Sequence, residues 1–548
     1  MKNLLFLLLI FCAFACSSPK DDGLSAFNEE TLGKNISTLS SDIFMGRMPF
    51  TTGEVRTLNF LEDEFKKLGL EPGNDTSFFQ DVPLVNISAQ ADAGMQVHTK
   101  KEDFSFTGNE DYVIWTDKTE ASQSLKKSDI VFAGYGIVAP EYDWNDYAGL
   151  DVRGKVVLIL VNDPGYRAKD STLFKGKTMT YYGRWTYKYE EAARQGAKAC
   201  LVIHNTEAAS YPFSVVQNSW NHPKLKLDLK NSKEPLCDAV GWISEPAMHR
   251  LLAATGKDST FLSQADSAGF KAQRLNATFS TNIQVEAEYK NSKNVIAKIT
   301  GSKKPDEYII YTAHWDHLGI GSADDNGDSI YNGAFDNATG TAGLIELARA
   351  FKQMKPAPER TIVFMAVTAE EQGLLGSQYY SQNPIYDPTK TLANINMDGL
   401  NYLGATSDII LVGKNQNNLE DYLKKVLEST GRELAFEDHP EAGYYYRSDH
   451  FNFAKIGIPA LYTRAGIKVI GQKDNYGKQM GEFYRKNHYH RPSDEYDPAL
   501  WKLDGATEDL KALFVVGKAI SSSNEWPAWK DGSEFKGIRE KSLETNQK

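Results

Sequence analysis

Apolar residues recur along this chain with two different periods. In GEVRTLNFLEDEFKKLGLEP, residues 53–72, Val55, Leu58, Leu61, Phe65 and Leu68 fall at helical spacing. That spacing predicts an amphipathic helix stopped by Gly69, with Pro72 beyond it. Residues 27–75 read as helical and globular, and 76–125 as mixed and strand-like. Between 126 and 280 the short apolar runs DIVFAGYGI, GKVVLILVN, KACLVIHN and AVGWISE predict strands, and YKYEEAARQGA and PAMHRLLAATG predict helices. This alternation fits a small β-rich unit carrying a few helices. From 290 the rhythm becomes regular: NVIAKIT, YIIYTAH, TIVFMAVTAE and TLANINMD predict strands, with helices at GTAGLIELARAFKQM and NNLEDYLKKVLESTG. Leu344, Leu347, Ala348 and Phe351 make one apolar helix face. Strands separated by helices predict an α/β fold, a mostly parallel mixed sheet sandwiched by helices. The polar end KDGSEFKGIREKSLETNQK predicts a loosely held tail.

A length of 548 residues is too great for one ordinary core and predicts two or more folded units. A content of 41% hydrophobic and 24% charged residues is that of a globular protein. The net charge of -11, with acidic residues spread along the chain and no basic stripe, argues against a nucleic-acid partner. The opening MKNLLFLLLIFCAFAC changes the picture more: one Lys, an apolar run and small residues predict a signal peptide over 1–15. Cys16 directly after it resembles a bacterial lipoprotein site, with 16–26 as a polar tether. Membrane contact is then confined to a lipid anchor at the bacterial cell envelope, facing the periplasm or the exterior. Plain cleavage after Ala15 would instead release a secreted protein. Cys200 and Cys237 remain, and an oxidising compartment leaves a disulfide between them open.

The chemistry gathers where the strands of the last region end. YIIYTAHWDH delivers His314 and Asp316, and NGAFDNATG delivers Asp336 just before a helix. TIVFMAVTAEE delivers Glu370 and Glu371, and TLANINMD delivers Asp398. Ligands of open α/β sheets bind beyond the carboxyl ends of the strands, and a His, Asp and Glu set suits zinc. Taken singly, Asp336 fits a helix N-cap better than a ligand; the combined set points to metal.

The series H-W-D, F-D-N-A-T-G, A-E-E-Q-G-L-L-G-S, N-M-D and Y-H-R-P-S-D resembles the co-catalytic di-zinc aminopeptidase family. That family includes bacterial leucyl aminopeptidases, glutamate carboxypeptidase II and the non-enzymatic transferrin receptor. SSDIFMGRMPFTTGE resembles the family's opening segment, and 126–280 resembles the protease-associated domain that some members carry as an insertion. The resemblance implies a discontinuous zinc-peptidase domain over 27–125 plus 281–525, an insertion over 126–280 and a tail over 526–548. It implies two zinc ions per chain, held by His314, Asp336 as bridge, Glu371, Asp398 and His490. Asp316 would hydrogen-bond His314 from behind. Glu370 would be the general base, taking a proton from water at the metals and returning it to the leaving amine. The expected activity is a metallopeptidase hydrolase, an aminopeptidase removing N-terminal residues from peptide substrates.

Several features keep other readings open. His450 and His488 are rivals to His490 as the last ligand; the resemblance favours His490, because the family's final ligand is a His followed four positions on by an Asp, as His490 and Asp494 are. His317 reads as a bystander. SADDNGDSIYNG has the look of a calcium loop without the closing Glu and is read as a solvated insertion. Tyr181, Tyr182, Trp185 and Tyr187 predict either a substrate-facing patch or packing of the insertion onto the catalytic unit. Arg447 or Arg464 could pair with a substrate carboxylate, as a carboxypeptidase or dipeptidase requires. A glutaminyl-cyclase-like acyltransferase and a non-catalytic binding relative complete the alternatives.

Overall fold

The computed structural model describes residues 22–170, 172–220, 222–230 and 234–545. The signal-peptide and Cys16 expectations lie outside the described residues. No helix among those described is long and apolar enough to cross a membrane.

The regular α/β rhythm after 290 folds into one sheet. Its strands lie in the spatial order Val295–Ile299, Arg360–Val367, Lys304–His314, Thr391–Met397, Ala460–Arg464, Asp408–Leu411, Glu433–Phe436. The four from Arg360–Val367 to Ala460–Arg464 run parallel, and antiparallel pairings flank them, so the sheet is mixed and mostly parallel. Register puts His314 opposite Val367, and Thr312 opposite both Met365 and Asn396. The carboxyl ends of the central strands therefore share one edge. Helices Thr339–Gln353 and Asp504–Ser522 cover the sheet, and their apolar faces meet Tyr311, Phe351, Phe364 and Phe514 in a continuous core. Gly517 is required there, because the Tyr311 hydroxyl occupies the place its side chain would take. Helix Thr52–Lys67 joins this core through Leu58, Leu61 and Phe65, but Val55, predicted on the same face, is exposed.

The second unit is built on the same backbone. A strand of 27 residues, Gln273–Ile299, pairs over 273–284 with Gly94–Thr99 and Ser122–Phe132, over 283–295 with Phe79–Ala91, and at its end joins the sheet of the last region. Ser122–Phe132, Val156–Leu160, Ala199–Ile203 and Ala239–Ile243 run parallel in this unit. Its core includes Val85, Ile87, Met95, Phe106 and Tyr112. Residues from about 85 to 125, assigned by pattern to the peptidase domain, thus pack with the insertion. Their short alternating runs specify a half-buried sheet without saying which core they face. Cys200 and Cys237 are both buried free thiols.

The C-terminal segment is not a loose tail. Phe535 is fully buried and Trp529 nearly so, in a cluster with Tyr445, Tyr446, Phe451 and, from the insertion, Met179. Glu534 is buried and receives hydrogen bonds from the Lys175 ammonium at 2.7 Å, the Tyr181 amide at 3.1 Å and the Tyr446 hydroxyl at 2.6 Å. Polar composition hid this, because three donors satisfy the carboxylate. Of the aromatic set predicted at 181–187, Tyr181 does the bridging, 5.2 Å from the Phe451 ring, whereas Tyr182 packs on Phe174 and Tyr187 within the insertion.

Phe535→Ala is expected to lower unfolding free energy by about 3–5 kcal/mol, the usual loss for a buried aromatic. Urea denaturation measures it; a loose tail would show no change.

Candidate metal centre

Each strand end at the shared edge contributes a side chain to one buried cluster. His314, the last residue of Lys304–His314, is 1% exposed. Its Nε2 lies 3.2 Å from Asp336 Oδ1, 3.5 Å from Asp398 Oδ1 and 3.9 Å from Glu370 Oε2. On the other side His490 Nε2 lies 3.5 Å from Asp336 Oδ2 and 3.0 Å from Glu371 Oε2. Asp336 thus turns one oxygen toward each imidazole. The pattern is two half-sites sharing one carboxylate, with Glu370 at the longest distance and outside the shared set. The two-residue wait between Val367 and Glu370 lets the chain leave the strand, and the Glu370 and Glu371 side chains then diverge.

The donors fit a pair of cations. The Nε2 atoms of His314 and His490 are buried without hydrogen-bond partners. Two ligand atoms each about 2.1 Å from a tetrahedral ion are about 3.4 Å apart, close to the separations in the cluster. Asp336 is not acting as a helix cap. Asn337 does that, its Oδ1 accepting from the amides of Gly340 at 2.9 Å and Gly399 at 3.1 Å, which leaves Asp336 free.

Residues 294–515 match Peptidase family M28. This segment belongs to that family. A probable zinc metalloprotease of Pyrenophora teres f. teres (strain 0-1) is 41% identical over 108 residues, 20% of this chain and 22% of that protein. A glutamate carboxypeptidase 2 homolog of Caenorhabditis elegans is 40% identical over 126 residues, 22% of this chain and 14% of that protein. The chain spans about a fifth of the length of the first curated relatives it matches. Among solved structures it is similar to an aminopeptidase from Aneurinibacillus sp. strain AM-1, with 20% identity, 91% of this chain and 95% of that chain covered, and a TM-score of 0.48.

In the M28 segment the adjacent glutamates are driven apart in acidity. Burial and the Asp336 charge push Glu371 up, but His317 and His490 outweigh them and hold it at about 2. Glu370 is raised well above the ordinary carboxylate range, first by burial and then by Asp398, Glu371 and Asp449, with only partial relief from His314. Burial raises both carboxyls, but only Glu371 has imidazoles that bring it back down.

Asp316 differs from expectation. Its carboxylate stands 3.8 Å from His314 Nδ1, too far for a hydrogen bond. The ring instead faces the Asp316 backbone carbonyl at 3.1 Å, and the carboxylate accepts from the amides of Glu370 at 3.0 Å and Glu371 at 3.4 Å. Asp316 therefore positions the glutamate pair. His450 is not in the cluster; it is sandwiched between Tyr445 and Tyr462, and burial lowers its pKa to about 3. His488 faces Ser493.

Some positioning residues were not legible as such. His317, read as a bystander, is fully buried, with Nδ1 2.6 Å from Glu371 Oε1. It competes geometrically with His490 for the second half-site, since its ring also lies near Asp336 and Glu371. His490 Nε2 meets one oxygen of each carboxylate, whereas His317 Nδ1 faces the far oxygen of Glu371, and the Nε2 of each ring is buried without a hydrogen-bond partner. Asp494 accepts from the Phe335 amide at 3.0 Å, the Asp336 amide at 3.1 Å and the Tyr484 hydroxyl at 2.9 Å, fixing the shared carboxylate's backbone. Arg47, 1% exposed, donates to the carbonyls of Leu39, Trp315, Asn332 and Gly333, strapping together the two loops that carry His314 and Asp336. Gly46 allows this approach, with φ +64° and the Gly319 carbonyl 2.5 Å from where a Cβ would lie. The only sequence signal for Arg47 was the opening-segment resemblance.

His317→Ala is expected to weaken divalent-cation binding about 10–100-fold, the usual effect of removing a group that orients a ligand. Titration of the protein with Zn²⁺ by calorimetry checks it; unchanged affinity would make His317 a filler.

Proposed function

We propose that this chain is a zinc-dependent exopeptidase, and that it acts as an aminopeptidase on free N-termini of peptides. The observation that carries the reading is the division of Asp336 between His314 and His490, with Glu370 left outside the shared set. The relatives named as zinc metalloproteases and the mixture of imidazole and carboxylate donors support zinc. His314, Asp336 and Asp398 would hold one ion, and Asp336, Glu371 and His490 a second. Asp336, Glu371 and Asp398 bring three negative charges against four positive ones, a balance that keeps affinity for an anionic oxygen. Two zinc ions bound there would polarise the scissile carbonyl and stabilise charge developing on its oxygen.

The chain's own groups account for the proton. Glu370, raised in pKa and placed beside His314, accepts a proton from the attacking water and returns it to the leaving amine. Asp316 fixes the Glu370 amide and hence the angle of that carboxylate, while His317 keeps Glu371 facing the metal side. The N-terminal run ending in Cys16 supports export and lipid attachment at the bacterial envelope, so peptides outside the cytoplasm are the proposed substrates.

Glu370→Gln is expected to retain the metal and lose about 10²–10⁴-fold or more in kcat, as loss of a general base does. Metal content by elemental analysis and a peptide assay read the two effects separately; near-normal turnover would remove Glu370 from this role. Incubation with a peptide mixture, free or acetylated at the amino end, is expected to shorten only the free peptides, one residue at a time. Chelation is expected to abolish the activity and added zinc to restore it. Cleavage of acetylated peptides from the carboxyl end would instead establish a carboxypeptidase.

A further inference from the structure

The turn that delivers the glutamate pair has an unusual backbone. Ala369, between the strand Arg360–Val367 and Glu370, is fully buried at φ +51°. A residue with a Cβ seldom rests in that left-handed region unless its surroundings impose it, and such residues gather at functional sites. Asp316 holds the turn on one side, through the amides of Glu370 and Glu371. On the other side Thr368 is held at three points. Its amide donates to Asn294 Oδ1 at 3.0 Å, and its carbonyl accepts from the Gly376 amide at 2.9 Å. Its hydroxyl lies 2.6 Å from the Ser292 hydroxyl, which donates to Glu54 Oε1, also at 2.6 Å. Glu54, Ser292 and Thr368 are all buried.

Each hydroxyl carries one proton, which fixes the direction of this relay. Ser292 donates to the Glu54 carboxylate, so the bond between the two hydroxyls must run from Thr368 to Ser292. The run TTGE, 51–54, has the form of a capping box, in which the Glu would turn back to the amide of the N-cap residue. Thr51 is that N-cap, yet Glu54 takes the Phe50 amide on Oε2 and the Ser292 hydroxyl on Oε1. Capping of the helix therefore does not account for the bond to Ser292. Phe50 is also left-handed, at φ +68°, and it packs on the cluster that holds Ala369 and Leu375. The relay thus joins two left-handed residues that carry a Cβ, one in the opening segment and one at the glutamate pair. Ser292 stands between them, on the long strand Gln273–Ile299.

We propose that Glu54, Ser292 and Thr368 are positioning residues for the reaction: a buried relay that pins the turn at Ala369 and so aims the Glu370 carboxylate. They act through the backbone that leads from Thr368 into Glu370. The proposal deepens the exopeptidase reading and rests on it for the role of Glu370. Asp316 sets where the glutamate amides lie, and the relay sets the twist of the chain that enters them. The opening helix, far away in sequence, is thereby tied to the residue that handles the proton.

Thr368→Val removes the hydroxyl at nearly constant shape, Ser292→Ala breaks the relay in its middle, and Thr368→Ser keeps it. The full-length, zinc-loaded chains are assayed on a peptide with a free amino end. The two broken variants are expected to lose about 10–100-fold in kcat with KM little changed, the range for a misaimed group, and Thr368→Ser to keep most of the turnover. Hydrogen exchange of the metal-free chains, read by mass spectrometry over 369–376, needs neither zinc nor turnover. There the broken variants are expected to exchange about 2–10-fold faster than the wild type, as loss of one hydrogen bond allows, while the strand Thr391–Met397 keeps its wild-type rate. Wild-type kcat in both broken variants, unchanged exchange over 369–376, or acceleration that spreads equally to Thr391–Met397 would each overturn the relay as a positioning device. Absence of hydrolysis by the wild-type chain would instead sink the exopeptidase reading, and exchange alone would then decide whether the relay pins the turn.

Discussion

The structure depends on keeping several carboxylates close together in a place where water screens them only in part. Asp336, Glu370, Glu371 and Asp398 converge within reach of two imidazoles at the edge of a mostly parallel sheet. Mutual repulsion at low dielectric would drive them apart unless each were held from behind. The surrounding residues do that. Asp494 grips the backbone of Asp336, Asp316 grips the amides of Glu370 and Glu371, and His317 grips the far oxygen of Glu371. Arg47 ties together the segments that follow His314 and precede Asp336, through the carbonyls of Trp315, Asn332 and Gly333.

That arrangement explains why the glutamates come as an adjacent pair. Beyond the strand end both side chains stay at the cluster, yet their environments differ over a few ångströms. Glu371 has imidazoles on both sides and is stabilised as an anion; Glu370 has other carboxylates and is destabilised as one. Two carboxyls of different acidity follow from one dipeptide through unequal surroundings.

The two folded units are less separable than two domains on a linker. One strand of 27 residues passes through both sheets, and the C-terminal segment returns to clamp them, with Glu534 satisfied by Lys175 and Tyr181 from the insertion and by Tyr446 from the catalytic unit. Such a clamp fixes Met179 and Tyr181 of the insertion against Tyr446, Phe451 and Phe535.

The sequence by itself determined the alternation of strands and helices after 290, the helix Thr339–Gln353, the placing of His314, Glu370, Glu371 and Asp398 at strand ends, and that of Asp336 just before a helix. Those features depend on local periodicity and on side chains that a short segment already specifies. It did not determine which core residues 85–125 join, that Phe535 is buried, that Asp316 reaches the glutamate amides rather than the His314 ring, or that His317 and Arg47 hold the site. Each of these depends on what comes to face a residue from a segment far away in the chain. Only the closed tertiary structure, through burial and the geometry of hydrogen bonds, decides such encounters.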